Sequence, residues 1–208
     1  MSKALFTGDE SIPGDAIVLF DGSSLEAWHK RGSSDPAGWK VENGYMEVVP
    51  GTGDICSKEL FYDCQVHVEF WLPLMADRTG QGRSNSGVYL QGRYEVQVLD
   101  SYGLDSKDDD CGGIYRTAAP LVNACRPPEH WQTYDIFFRA PRFNHKGVKV
   151  EPARISVLHN GVWIHHGLEV HEPTGGEIDH EFSQPGPLLL QDHGDPVRYR
   201  NVWVRKLS

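Results

Sequence analysis

One stretch of the chain places polar side chains at a spacing that suits acid–base chemistry. Polar and apolar residues alternate over residues 94–98, so Glu95 and Gln97 share the face opposite to the apolar one. A single β-bulge near Leu99 would bring Asp100 to that face as well. In such a row a carboxylate can exchange protons with a ligand, and both carboxylates and amides can bind its hydroxyl groups. The alternative interpretation is the solvated polar face of an ordinary strand.

A histidine near the end of the chain is the first candidate for a catalytic base. His193 lies in the sequence Gln-Asp-His-Gly of residues 191–194, directly after an apolar run, which predicts a position at the end of a strand. Imidazole titrates near neutral pH and can therefore take up a proton there. Glu95 is the second candidate base. The alternative for His193 is a loop histidine whose nitrogens are satisfied by the backbone.

A third candidate catalytic residue, Glu69, lies on the polar side of a strand predicted over residues 65–72. We predict that Glu69, Glu95, Gln97 and His193 point into one groove, where Glu69 would orient His193. Mixed glutamate and histidine ligands also suit a divalent metal ion. A metal site at Glu69, Glu95 and His193 is therefore a second hypothesis, and the sequence indicates no other cofactor.

Further polar and aromatic side chains could bind a hydroxylated ligand. The candidate binding residues are Asn85, Gln97, Asp100, Tyr115, Gln191 and Trp131. Trp131 could stack on a ring of the ligand, although packing on a sheet explains it equally well. The glycine-rich segment 77–84 has no following helix to bind phosphate, so it predicts a loop at the edge of the groove, where Arg78 or Arg83 could reach the ligand.

Alternation with period two recurs along the chain and predicts an all-β fold. Asn-Gly at residues 43–44 and 160–161 and Gly-Arg at residues 92–93 predict hairpin turns. At least nine strands are expected. The ten ranges that have a strand pattern are 39–41, 45–49, 65–72, 88–91, 94–100, 134–139, 153–158, 162–166, 187–191 and 197–206. These strands predict a sandwich of two antiparallel sheets in a single domain over residues 1–208, with its core at about residues 17–207.

Composition narrows the class of ligand and partner. The 208 residues carry a formal net charge of −9, which argues against nucleic acid, because phosphates need a basic surface. No segment is apolar enough for a membrane span or a signal peptide. We therefore expect a cytoplasmic protein from the sequence as it stands, or a periplasmic or secreted one if a signal has been removed. The oligomeric state is left open.

The four cysteines form no CxxC pair and have no metal-ligand spacing. Buried free thiols are therefore the first interpretation. A disulfide between Cys111 and Cys125 is the alternative, and it would need an oxidising compartment.

Two resemblances add to these patterns. The strand at residues 95–100 is similar to the E-x-D-x-x-E strand of laminarinase-like glycoside hydrolases, although Gln97 replaces its middle acid. Most of the chain resembles the 3-keto-disaccharide hydrolase family of the concanavalin A-like lectin/glucanase superfamily. The segments that carry this likeness are 20–28, 39–44, 68–70, 85–90, 94–100, 113–115, 129–134, 190–194 and 198–201. Departures are the long segment 142–151 and the residues His130 and Gln132.

The family resemblance implies a jelly-roll fold and cleavage of glycosides that carry a ketone at carbon 3. Such a ketone acidifies the hydrogen on carbon 2, so a modest base can start an elimination that expels the group on carbon 1, after which water can add. This reaction needs no second carboxylate, which agrees with Gln97. A non-catalytic sugar-binding module and a glycosidase of unoxidised glucans are the alternatives.

Overall fold

Fifteen β-strands form the regular structure of residues 12–207, the part of the chain that the computed structural model describes. They are β1 (Ile17–Phe20), β2 (Trp28–Lys30), β3 (Lys40–Glu42), β4 (Tyr45–Glu47), β5 (Ile55–Phe61), β6 (Cys64–Trp71), β7 (Ser86–Leu90), β8 (Tyr94–Val98), β9 (Trp131–Arg139), β10 (Arg142–Phe143), β11 (Lys149–Glu151), β12 (Ala153–His159), β13 (Val162–Val170), β14 (Gly186–Leu190) and β15 (Arg198–Lys206). The only helical element in this range is the 3₁₀ turn Gly80–Gly82. No helix in residues 12–207 has the length and apolar character that crossing a membrane requires.

The strands form two large antiparallel sheets and a small ribbon. The larger sheet has eight strands in the order β13-β12-β9-β6-β15-β4-β3, with β1 paired to β15. The smaller sheet has the order β2-β5-β14-β7-β8, and β10 pairs with β11 in the ribbon. Strands that are distant in sequence are therefore neighbours, as in a jelly roll. The predicted fold class is confirmed.

The core lies between the two sheets because each contributes its apolar face. In β6 of the larger sheet, Val68 and Phe70 are fully buried, while Glu69 between them is only partly covered. In β8 of the smaller sheet, Val96 and Val98 are fully buried in the same core cluster. Side chains at the alternate positions of β6 and β8 therefore point away from the core, on opposite outer faces of the sandwich.

Tight turns fix the register of the hairpins. Asn43 and Gly44 both have positive φ (49° and 80°), as do Asn160 and Gly161 (53° and 81°), which is the requirement of the two-residue turn predicted there. The turn between β7 and β8 was predicted at Gly92-Arg93, and this prediction is wrong by one residue. Gln91 and Gly92 adopt positive φ instead, and the pairing of Leu90 with Tyr94 leaves a three-residue loop.

Candidate functional site

A cavity of about 300 Å³ opens on the outer face of the smaller sheet, over β7, β8 and the end of β14. Loops from four connections enclose it: β6–β7, β8–β9, β13–β14 and β14–β15. The lining residues are Gln81, Asn85, Tyr89, Glu95, Gln97, Tyr115, Arg116, Thr174, Gly175, Gly176, Gln191 and His193. Six of the predicted site residues, which are Asn85, Glu95, Gln97, Tyr115, Gln191 and His193, are therefore brought together.

Glu95 lies at the centre of this face and is held by its cross-strand neighbour. Tyr89 pairs directly with Glu95 across β7 and β8, and its hydroxyl donates a hydrogen bond of 2.8 Å to Glu95 Oε2. Gln191 Nε2 donates in turn to the Tyr89 hydroxyl at 3.2 Å. The backbone N–H of Glu95 donates to Thr174 Oγ1 at 2.8 Å. Tyr89 of β7 thus holds the carboxylate of Glu95, and Thr174 of the β13–β14 loop holds its backbone.

The environment of Glu95 makes its carboxyl group a base suited to neutral pH. Its pKa is raised from 4.5 to about 7, mainly by burial. The hydrogen bond from Tyr89 opposes this increase, and the charge of Asp54 adds to it. Glu95 is only 3% exposed, so its charged form lacks most of its hydration. Gly87 makes room for the carboxylate, because a Cβ at this position would lie 2.3 Å from Glu95 Oε1.

An amide cluster lies beside Glu95. Gln97 Nε2 donates to Gln81 Oε1 at 3.1 Å, and Asn85 Nδ2 donates to the Gln81 backbone carbonyl at 2.7 Å. Asn85 Oδ1 and Gln191 Oε1 are buried acceptors without a donor among the described residues. Since buried polar atoms are nearly always paired, these two oxygens are suited to hydroxyl groups of a ligand.

His193 lies at the exposed rim of the cavity. Its loop is fixed by Asp192, whose Oδ2 accepts hydrogen bonds from the N–H groups of Gly51 (2.8 Å) and Gly53 (2.9 Å). Asp192 Oδ1 accepts from the N–H of Gly194 at 3.0 Å. The histidine is therefore held in place by its backbone and faces solvent.

Two predicted site residues lie on the far side of the molecule. The prediction of one shared groove is therefore wrong for Glu69, and Trp131, expected to stack on the ligand, does not line the cavity. Glu69 is on the outer face of the larger sheet, where it accepts hydrogen bonds from Arg200 Nε (2.6 Å) and Asn201 Nδ2 (2.9 Å). Its pKa is lowered to about 2, first by the neighbouring His67, whose Nε2 lies 3.9 Å from Glu69 Oε1. Trp131 packs under Arg200, whose guanidinium carbon is 4.0 Å from the ring centroid.

The metal hypothesis fails for the same reason, because the sandwich core separates Glu69 from Glu95 and His193. Asp100 likewise does not reach the cavity. Its Oδ2 lies 2.8 Å from Arg83 Nε in a buried ion pair, and neither residue lines the cavity. Arg78 pairs with Asp195 at 2.9 Å, and Asp195 Oδ2 also accepts the N–H of Asn85 at 2.8 Å.

Comparison with known proteins identifies the family. The family model for the 3-keto-alpha-glucoside-1,2-lyase-like domain matches residues 15–205. The chain belongs to this family. A protein of Parabacteroides distasonis ATCC 8503 with a solved structure, described as a proposed glycosyl hydrolase, is 38% identical with a TM-score of 0.85, over 94% of this chain and 85% of that chain.

More distant structures share the fold of this lyase-like domain. A second Parabacteroides distasonis ATCC 8503 protein with the same description is 20% identical with a TM-score of 0.71, over 99% of this chain and 100% of that one. The alginate lyase Aly36B, solved with an alginate tetrasaccharide, is 7% identical with a TM-score of 0.54, over 93% and 97% of the two chains. None of the curated proteins matches. The family is carbohydrate-active, with a jelly-roll sandwich.

Several residues that line the cavity were not predicted from the sequence. Tyr89 could have been found, because a hairpin between residues 88 and 100 places it opposite Glu95 once the turn is counted correctly. Thr174 and Gly176 had no signal, since they lie some 80 residues from Glu95 in a loop without a pattern. Arg116 was overlooked beside Tyr115, although arginine is a common ligand-binding residue.

Proposed function

We propose that this protein cleaves 3-keto-glycosides by elimination, with Glu95 as the base that removes the hydrogen on carbon 2. The observation that carries the proposal is a buried carboxylate with a pKa of about 7 at the floor of a polar cavity of about 300 Å³. A general base is most effective when its pKa is close to the working pH. A sugar-binding module has no need of such a group.

The elimination proceeds in two steps, and each residue has one role. Glu95 takes the proton from carbon 2, and the electron pair of that C–H bond forms an enolate with the ketone at carbon 3. The enolate then restores the ketone, forms a double bond between carbons 1 and 2 and breaks the bond to the leaving oxygen. His193, at the rim of the cavity, donates a proton to that oxygen. Addition of water to the double bond would make the overall reaction a hydrolysis.

The enolate oxygen needs hydrogen-bond donors or positive charge. Among the described residues that line the cavity, Arg116 is the one arginine or lysine, and its guanidinium carbon lies 5.3 Å from the centroid of the Tyr115 ring. We assign Arg116 and the Tyr115 hydroxyl to the oxygen on carbon 3. The buried acceptors Asn85 Oδ1 and Gln191 Oε1 then take hydrogen bonds from sugar hydroxyl groups.

The test uses a 3-keto-disaccharide and its parent disaccharide, with products identified by NMR. Deuterium on carbon 2 should slow turnover, and Glu95→Gln and His193→Ala should each lower it by on the order of a hundredfold. Glu69→Gln is the matched control and should keep full activity. Binding without turnover would indicate a sugar-binding module, and equal turnover of the parent sugar would indicate an ordinary glycosidase. Either result would contradict the proposal.

A further inference from the structure

Three potential metal ligands meet where the β8–β9 connection contacts the end of β12. The sulfur atoms of Cys111 and Cys125 and a ring nitrogen of His159 lie within 4.8 Å of one another, and this is the one such cluster found among residues 12–207. Cys111 and His159 are buried and Cys125 is half-buried. Both cysteines are free thiols. The three residues come from two loop positions and the end of β12, so the fold alone brings them together.

The hydrogen bonds of His159 determine which ring nitrogen carries the proton. Gln132 Oε1 accepts the backbone N–H of Arg126 at 2.9 Å, which identifies this atom as the oxygen of the amide. His159 Nε2 lies 2.9 Å from the same oxygen and must therefore carry a proton. Nδ1 therefore carries a lone pair, and this buried nitrogen has no hydrogen-bond partner in the described structure.

This arrangement is the one found in metal-binding histidines, in which one ring nitrogen donates to a fixed acceptor and the other binds the ion. A buried nitrogen without a partner is otherwise costly. The thiols point to the same conclusion. The sulfur atoms of Cys111 and Cys125 lie within 4.8 Å of each other and of a ring nitrogen of His159. A thiolate is the form that binds metal.

We propose that Cys111, Cys125 and His159 bind a Zn²⁺ ion. Two thiolates and a neutral imidazole balance the charge of Zn²⁺ and are ligands that this ion prefers. Binding releases one proton from each thiol, and no electrons are transferred. Zinc is usually four-coordinate, and the half-buried Cys125 lies on the side that water can reach to complete the set.

The ion would fix both ends of the loop that covers the cavity. Residues 111–125 lie between its two cysteine ligands and carry Tyr115 and Arg116, which line the cavity. The N–H of Tyr115 donates to the Glu95 carbonyl at 3.2 Å. Loss of zinc should therefore loosen this loop first and leave the two sheets intact. The role is structural and does not depend on the proposed reaction.

The zinc content of the purified, reduced protein is measured by mass spectrometry, and the chelator-treated protein is then titrated with CoCl₂. We expect one ion per chain and a thiolate-to-cobalt charge-transfer absorption. Cys125→Ser should weaken Co²⁺ binding at least tenfold, as loss of a ligand does, and should abolish most of this absorption. Zinc should raise the melting temperature of the wild type and slow hydrogen exchange in residues 112–124.

Cys56→Ser is the matched control, because Cys56 is a buried thiol outside the cluster, and it should bind Co²⁺ like the wild type. His159→Gln tests the third ligand; Cys125→Ser decides the question if this variant does not fold. The proposal is overturned if the wild type binds neither metal at equimolar concentration or if Cys56→Ser weakens binding equally. It is also overturned if Cys111 and Cys125 form a disulfide in the purified protein, seen as the loss of two hydrogen atoms in mass.

Discussion

Replacing Glu95 by glutamine should stabilise the protein above neutral pH. The folded carboxyl keeps its proton up to a pKa of about 7, whereas the unfolded one loses it near 4.5. Between these values the folded state binds more protons than the unfolded state, so stability falls as pH rises through this window, and the full penalty is present above pH 7. Glutamine has nearly the same shape and never ionises, so the variant avoids this penalty.

The size of the effect follows from the same two pKa values. Each tenfold change in acidity is worth about 1.4 kcal/mol, so the penalty is about 1 kcal/mol at pH 5 and about 3 kcal/mol at pH 8. The stability advantage of Glu95→Gln over the wild type should therefore grow by roughly 2 kcal/mol between these pH values. Urea unfolding followed by tryptophan fluorescence at both values measures it.

A control variant makes the measurement specific to Glu95. Glu69 has a pKa of about 2, below its ordinary value, so its charge stabilises the fold at both pH 5 and pH 8. Glu69→Gln should therefore be less stable than the wild type at both. If the advantage of Glu95→Gln is the same at the two pH values, Glu95 is not protonated in the folded protein near neutrality, and the assignment of the base fails with it.

Four further predictions concern activity on the 3-keto-disaccharide. In a pH–rate profile, the rise of kcat/KM on the acid side should have a midpoint of about 7, the pKa of Glu95, because the base acts when ionised. Tyr89→Phe should move this midpoint to higher pH, since its hydrogen bond lowers that pKa. Gly87→Ala should lower kcat by roughly tenfold to a hundredfold, because its Cβ would displace the carboxylate; a normal rate would show that the carboxylate can move freely. Trp131→Ala should leave the steady-state rate unchanged, because Trp131 lies on the other sheet.

The fold could be predicted because its local signals agree with one another. Asn-Gly at residues 43–44 and 160–161 requires tight turns, and the alternation in β6 and β8 identifies which side chains are buried. These features depend on neighbours in sequence. Hydrophobic period and turn chemistry therefore predict strands and hairpins well.

The site could be predicted only in part, because alternation tells which side chains avoid the core but not which sheet they belong to. Glu69 and Glu95 both point outward, as predicted, but β6 and β8 lie in different sheets. Asp100 was predicted to share the face of Glu95, but it pairs instead with Arg83 of the loop between β6 and β7. Ion pairs and loop contacts of this kind depend on the whole fold, so a single sequence contains no local signal for them.

The position of Glu95 on β8, the outermost strand of its sheet, has a consequence for solubility. The backbone groups of Glu95 and Gln97 that face away from β7 would be open to pairing with another chain. They are instead satisfied within the chain, because Gln97 N–H donates to the Gly113 carbonyl at 2.9 Å and the N–H groups of Gly112 and Tyr115 donate to β8. Unpaired strand edges promote association into aggregates. The loop that brings Tyr115 to the cavity thus also keeps one molecule from adding its sheet to the next. We expect a variant that releases this loop to self-associate.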